Sequence, residues 1–137
     1  MITKITHTSL IVRNQDEALG FFTEKLGLVK RMDAPMNEMG EGLRWLTVGA
    51  AEQEGFEIVL QAVEWGPGGN TAEERAALIG KQPGFVFETP DCHKTCAELK
   101  AKGVNVLSDP QDFPWGIQAV FADLYGNVHV LSQPPQE

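Results

Sequence analysis

The chain opens with an alternation of polar and apolar side chains over residues 4–12, which is typical of a strand with one buried face. Asn14, followed by Glu17 three residues later, is the start signal of a helix over 14–26 with its apolar side chains on one side. Gly27 then ends this helix. The first segment therefore predicts a strand followed by an amphipathic helix.

Three further strand-like stretches follow the helix, at 27–33, 43–49 and 56–63. Residues 64–81 have the composition of a linker rich in glycine and proline. Within this linker, Thr71 begins a short helix, with Glu74 three residues later as its capping-box partner, the same pattern as Asn14 and Glu17. This part of the chain predicts a βαβββ module followed by a connecting segment.

Beyond the linker the same order of elements returns. The predicted helix caps Asn14 and Asp91 are 91 − 14 = 77 residues apart, and this register places His7 opposite Gly84. A fixed period of this size indicates two copies of one supersecondary unit. The predicted elements of the second copy are a strand at 84–89, a helix at 91–102 and strands at 103–107, 116–122 and 127–133.

The predicted fold class is therefore α+β, with two βαβββ modules in a single domain over 1–137. Module 1 covers about 4–63, the linker 64–81 and module 2 about 82–133. We expect the modules to form a curved mixed sheet around a concave pocket, because neither copy can bury its sheet alone.

Strand alternation predicts which side chains line such a pocket. Leu10 and Val12 lead into the apolar helix and should face it, so His7 and Ser9 point away. In the strand at 56–63, two polar side chains interrupt an otherwise apolar pattern, and they fall on the same face. The residues of that face are Glu57, Val59, Gln61 and Val63.

The charge balance narrows the choice of partners. The chain has 137 residues with 11 Lys+Arg against 19 Asp+Glu, a formal net charge of −8. This excess opposes binding to a phosphate backbone, so we expect no nucleic-acid partner. The negative charge favours a cationic ligand, although its role could also be solubility alone.

No apolar run approaches the ~18 residues of a membrane span, so we expect a cytoplasmic protein without membrane contact. Cys92 and Cys96 are predicted to pack as reduced thiols.

Three sequence runs carry a resemblance to a known family. Residues 7–14, HTSLIVRN, with 26–28, LGL, look like the opening module of the vicinal oxygen chelate superfamily, which includes glyoxalase I, bleomycin-resistance proteins and extradiol dioxygenases. Residues 121–127, FADLYGN, resemble its Phe-x-Asp-Pro-x-Gly-Asn turn, with Leu124 in the proline position. The resemblance covers roughly 4–133 and implies paired βαβββ modules, often completed by homodimerisation.

The resemblance also implies four positions for metal ligands, two in each module. In module 1 they correspond to His7 and Glu57, with Gln61 as a second choice for the carboxylate. In module 2 they correspond to Gly84 and Val130, which have no ligand atom. A divalent cation at His7 and Glu57 would be held mainly by water, whereas tight sites need three or four protein ligands. No cofactor is expected, and a divalent metal stays an open alternative.

Two other residues of module 2, Glu88 and His129, carry atoms that can ligate a metal. Glu88 shares the predicted face of Gly84, so it could reach the edge of the pocket. His129 has the opposite parity to Val130 and should point toward the helix layer.

The resemblance leaves three functions open, all with a small molecule as the ligand. The first is a lyase, isomerase or dioxygenase acting on an oxygen-rich substrate, with His7 and Glu57 catalytic and metal-binding. The second is a metal-free protein that sequesters a drug-like ligand, and the third is a metal-free enzyme with His7 as general base. The expected substrate-binding residues are Ser9, Val59, Gln61, Val86, Glu88, Trp115 and Val130.

Overall fold

The first half of the chain folds into a four-stranded mixed sheet. The computed structural model describes residues 1–136 and divides the chain into two compact units, Met1–Ile79 and the part from Gly80 onward. In unit 1 the strand order is β1-β4-β3-β2, with β1 parallel to β4 and the other pairs antiparallel. Its elements are β1 (His7–Val12), α1 (Gln15–Gly20), β2 (Val29–Pro35), β3 (Arg44–Gly49), β4 (Glu57–Ala62) and α2 (Ala72–Ala77).

The second unit repeats this topology. Its strand order is β5-β8-β7-β6, and β5 is parallel to β8 while the remaining pairs are antiparallel. The α+β class with two βαβββ repeats is therefore confirmed. The elements of unit 2 are β5 (Val86–Glu88), α3 (Cys92–Ala101), β6 (Asn105–Phe113), β7 (Gly116–Ala122) and β8 (Val128–Gln133).

Each sheet buries the face that packs against its helix. In unit 1 α1 contacts β4, and Leu10 and Val12 of β1 are fully buried, as strand alternation predicts. In unit 2 α3 packs on β6, β7 and β8 through buried side chains that include Cys92 and Cys96. Both cysteines are free, and burial raises the pKa of each thiol, so they pack as neutral apolar groups. Within residues 1–136 no helix is long and apolar enough to cross a membrane.

The predicted first helix contains a change of helix type. Asn14 caps α1 through the backbone N–H of Glu17, as the sequence indicates. From Phe21 to Lys25 the chain continues as a π-helical turn, in which Phe21 and Phe22 are both buried and their rings meet edge to face. Adjacent residues diverge by ~100° on an α-helix, so the wider turn helps two neighbouring rings to enter one core.

Two strands of unit 2 differ in length from the sequence prediction. β5 is shorter than 84–89, because the Phe85 N–H bonds to the side chain of His129 and not to a neighbouring strand. β6 extends far beyond 103–107 to Phe113 and contains Pro110. This proline is tolerated because β6 is an edge strand, where a missing N–H leaves no partner unpaired.

Candidate functional site

One face of the first sheet brings together most of the site residues predicted in module 1. The parallel register of β1 and β4 pairs His7 with Glu57, Ser9 with Val59 and Ile11 with Gln61. Because paired residues point to the same side of a sheet, these side chains share the face opposite the helix layer. The antiparallel pairing of Thr47 with Val59 adds β3 to this surface. We call it the His7 face: His7, Ser9, Ile11, Trp45, Thr47, Glu57, Val59 and Gln61.

The open part of the His7 face combines a carboxylate with two aromatic rings. Nε2 of His7 lies 3.5 Å from Oε1 of Glu57, and the two side chains are 36% and 27% exposed. The buried hydroxyl of Thr47 donates a 2.6 Å hydrogen bond to the same carboxylate oxygen. The ring of Trp45 meets the imidazole of His7 edge to face, with centroids 5.5 Å apart. A fixed anionic group thus lies beside a half-exposed aromatic corner.

The other end of this face is closed. Gln61 is 6% exposed, and its side-chain Nε2 donates a 2.8 Å hydrogen bond to the backbone carbonyl of Trp65. Val59 is also buried, whereas Ser9 beside it is exposed. The amide of Gln61 therefore holds the following loop, and the face becomes progressively more buried from His7 toward Gln61.

The site residues predicted in module 2 lie on the second sheet. Val86 pairs with Val130, and Glu88 pairs with Ser132, so these four side chains share one face of that sheet. Val86 is 68% exposed and Val130 is half-buried. Trp115, at the turn between β6 and β7, is exposed and stacks on Phe113 with the ring centroids 5.0 Å apart.

Gly84 occupies a position where the backbone leaves no space for a side chain. A Cβ atom at Gly84 would lie 1.7 Å from the carbonyl oxygen of Val128. Continuing the β5–β8 register by two residues also places Gly84 beside Val128, as His7 lies beside Glu57 in the first unit. The counterpart of the His7–Glu57 pair in unit 2 is thus a glycine and an apolar residue.

His129 belongs to the core, as its parity predicts. Its ring is fully buried, and Nδ1 accepts a hydrogen bond from the Phe85 N–H, so the proton lies on Nε2, which is 2.8 Å from Oδ2 of Asp123. Burial acts to raise the pKa of Asp123, but hydrogen bonds from His129 and Asn127 outweigh it and hold this pKa below its usual value. The pair is a structural element and points away from the surface.

The side chains do not fit a metal centre of the kind that the family resemblance implies. Within residues 1–136 no three His, Cys, Asp or Glu side chains converge on one point. On the His7 face only His7 and Glu57 come together among such side chains, and Oε1 of Glu57 already accepts the Thr47 hydroxyl, while the second pair, His129 and Asp123, is buried in the core of unit 2. A tight divalent site needs three or four ligands, so no chemical step is assigned to a metal here.

Thr47 and Trp45 are the site residues that the sequence prediction did not include. Both lie on β3, two residues apart, and within its stretch 45–48, WLTV, the threonine is the one polar residue. A buried threonine in such a strand is the only signal that the sequence contains. Its role follows from the pairing of β3 with β4, which sets its hydroxyl against Glu57.

Comparison with known proteins places the chain in a family. The model of the Glyoxalase/Bleomycin resistance protein/Dioxygenase superfamily matches residues 4–131. YurT of Bacillus subtilis (strain 168) is 36% identical over 131 residues, which cover 95% of this chain and 98% of YurT.

Two solved structures are similar over almost the whole chain. UcmS2 has a TM-score of 0.81 at 36% identity, covering 96% of this chain and 98% of UcmS2. TnmS3, an antibiotic binding protein from Streptomyces sp. CB03234, has a TM-score of 0.76 at 32% identity, covering 98% of both chains. From the family match, the relatives and the shared fold, this chain belongs to the Glyoxalase/Bleomycin resistance protein/Dioxygenase superfamily.

Proposed function

We propose that this protein binds and sequesters a small, planar, positively charged aromatic molecule on the His7 face. The observation that carries the proposal is the Glu57 carboxylate, fixed by the Thr47 hydroxyl and placed beside the rings of His7 and Trp45. A ligand that combines a cationic amine with a flat ring system would match both halves of this surface.

The carboxylate is suited to a cation. Thr47 and His7 both approach Oε1 of Glu57, and Oε2 makes no hydrogen bond to any residue in the described range 1–136. A half-buried carboxylate with one oxygen held in place is preorganised for a charged donor, because little rotamer freedom is lost on binding. The net charge of −8 adds a long-range attraction for the same class of ligand.

The aromatic corner is suited to a flat ring. The half-exposed His7 and half-buried Trp45 present ring edges and faces to a ligand, and such contacts contribute beyond the apolar area that they bury. Similarity to the antibiotic binding protein TnmS3 along the whole chain supports a ligand of natural-product size.

Binding without chemical conversion is favoured over a glyoxalase-like reaction by the donor set. That reaction would need a metal to polarise two substrate oxygens, and within residues 1–136 the His7 face offers such a metal only the pair His7 and Glu57. Elemental analysis of protein purified without chelator tests this choice. We expect less than about 0.1 metal ion per chain, and a stoichiometric metal lost in His7→Ala would favour the enzyme.

The binding proposal is tested with a matched pair of probes. Doxorubicin carries a planar ring system and a cationic aminosugar, and its aglycone doxorubicinone keeps the rings without the charge. Titration by isothermal calorimetry should show that Glu57→Gln weakens doxorubicin binding about two- to fivefold, as expected for a partly exposed ion pair, and leaves the binding of doxorubicinone unchanged.

Glu52→Gln provides the control, since Glu52 is an exposed carboxylate in the same unit and lies outside the His7 face. It removes one charge from the molecule without changing the face, so doxorubicin binding should stay within error of the wild type. Equal weakening by both substitutions would mean that only net charge matters. Failure of the wild type to bind either probe would contradict the proposal.

A further inference from the structure

The segment between β4 and α2 has the sequence of a flexible linker and the structure of a closed loop. Residues 63–70, VEWGPGGN, contain three glycines and one proline. We call this segment the Trp65 loop. Composition of this kind predicts mobility, yet three separate contacts fix the segment to the rest of unit 1.

The first two contacts come from one buried guanidinium. Arg75 on α2 is 8% exposed, and its Nε donates to the carbonyl of Val63 at 2.7 Å while Nη1 donates to the carbonyl of Asn70 at 2.5 Å. These carbonyls are the two ends of the Trp65 loop. One planar group therefore closes the loop, as a pair of cross-strand hydrogen bonds would close a hairpin.

The guanidinium of Arg75 is bonded to the two loop carbonyls and takes part in no ion pair within the described residues. A buried cation without a carboxylate is costly unless its donors are satisfied, so the loop carbonyls supply the compensation. If the loop changed its geometry, the guanidinium of Arg75 would stay buried and its N–H groups would lose their two carbonyl acceptors.

Gly66 allows the loop to close on the guanidinium. A Cβ atom at Gly66 would lie 2.8 Å from Cδ and 3.2 Å from Nη1 of Arg75. The side chain of Arg75 cannot move aside freely, because its nitrogens are bonded to both ends of the loop. An alanine here would therefore break the closure without removing the charge.

The third contact joins the middle of the loop to the His7 face. Gln61, which is on that face, donates its amide N–H to the carbonyl of Trp65. The loop therefore covers the Gln61 end of the face, opposite the open end at His7 and Glu57.

From these contacts we infer that the Trp65 loop, with the half-buried side chain of Trp65, is a wall of the ligand-binding face, and that Arg75 is the positioning residue that holds it. The inference rests on the proposed function, because it assigns the wall of that same site. Arg75 acts through the loop and does not touch the ligand.

Two measurements test this inference. Arg75→Met removes both hydrogen bonds, and cleavage after Glu64 by a glutamate-specific protease in limited proteolysis should become about tenfold faster or more, since the loop loses its closure. In the same variant, and in Trp65→Ala, doxorubicin binding by calorimetry should weaken about threefold to tenfold, because a loosened wall must be ordered again on binding.

Matched controls separate the loop from general destabilisation. Arg44→Met also removes a partly buried guanidinium from unit 1, but Arg44 neighbours Trp45 on β3 and so points to the opposite face, where it pairs with Asp16 and Asp33. It should change neither the rate of cleavage after Glu64 nor doxorubicin binding. If Arg75→Met does not fold, Gly66→Ala makes the same test with the charge retained, against Gly68→Ala, where a Cβ meets nothing within 4 Å.

The outcomes are distinct. Faster cleavage after Glu64 together with weaker doxorubicin binding supports the inference. An unchanged cleavage rate in both Arg75→Met and Gly66→Ala would overturn the positioning role. Unchanged doxorubicin binding in Trp65→Ala, with weakened binding in Glu57→Gln, would overturn the wall while leaving the proposed function intact. Absence of doxorubicin binding by the wild type would contradict the proposed function, and the inference with it.

Discussion

At the scale of single residues, the second unit is organised by the carboxylate of Asp123. It accepts hydrogen bonds from the backbone N–H groups of Tyr125 and Asn127, from the Asn127 amide and from His129. Oδ1 of Asn127 in turn accepts the N–H of Gln82, and Nδ1 of His129 accepts that of Phe85. One carboxylate thus fixes the β7–β8 turn and, through its two partners, the chain segment that leads into β5.

This network makes stability depend on pH in a defined direction. The pKa of Asp123 is lowered in the folded state, so its contribution is present above the unfolded pKa of about 3.9 and is lost as the pH falls through the folded value. At pH 7 we expect Asp123→Asn to reduce the free energy of unfolding by about 3 kcal/mol, since it leaves buried donors unpaired. Urea denaturation should show this difference shrinking below about pH 4.

Asp112→Asn is the control for this series, because Asp112 is exposed on β6. Its substitution should change the unfolding free energy by no more than about 0.5 kcal/mol at any pH. If Asp123→Asn lowered the free energy of unfolding equally at every pH, Asp123 would stabilise the fold through its shape and not through its charge.

At the scale of elements, replacing glycine by alanine is expected to have opposite effects on stability at Gly84 and at Gly20. A Cβ at Gly84 would collide with the backbone of Val128, whereas a Cβ at Gly20, at the end of α1, meets nothing within 4 Å. We expect Gly84→Ala to lower the free energy of unfolding by at least about 3 kcal/mol, because β5 must move away from β8. Gly20→Ala should raise it by about 0.5–1 kcal/mol through helix propensity.

Thermal denaturation followed by circular dichroism checks both expectations on one scale. A melting temperature of Gly84→Ala equal to that of the wild type would contradict the close approach of β5 and β8. It would also reopen the possibility of placing a metal-ligating side chain at this position, which the present backbone excludes.

At the scale of the whole molecule, we expect a homodimer. The resemblance to the superfamily implies pairing, and β5 is a short edge strand whose Val86 is 68% exposed. Light scattering at micromolar concentration should give 2 × 15.0 = 30 kDa, twice the chain mass. A mass of 15 kDa that does not change with concentration would contradict the dimer.

The sequence by itself determined the features that depend on near neighbours. The caps at Asn14, Thr71 and Asp91 each involve a partner three residues away, and all three form as predicted. Strand alternation assigned Leu10, Val12 and His129 to the buried side. The family resemblance, carried by three short runs, is confirmed by the family match.

Only the tertiary structure decided which distant residues act together. The Thr47–Glu57 hydrogen bond depends on the pairing of β3 with β4, and a shift of that register by one residue would turn Thr47 to the other face. The closure of the Trp65 loop depends on Arg75. From the sequence this residue is a charged side chain on a short helix, which predicts exposure, whereas the structure buries it against the loop. Such contacts join residues that are distant in the sequence, and packing sets their geometry. Hydrophobic periodicity and local propensity therefore cannot predict them.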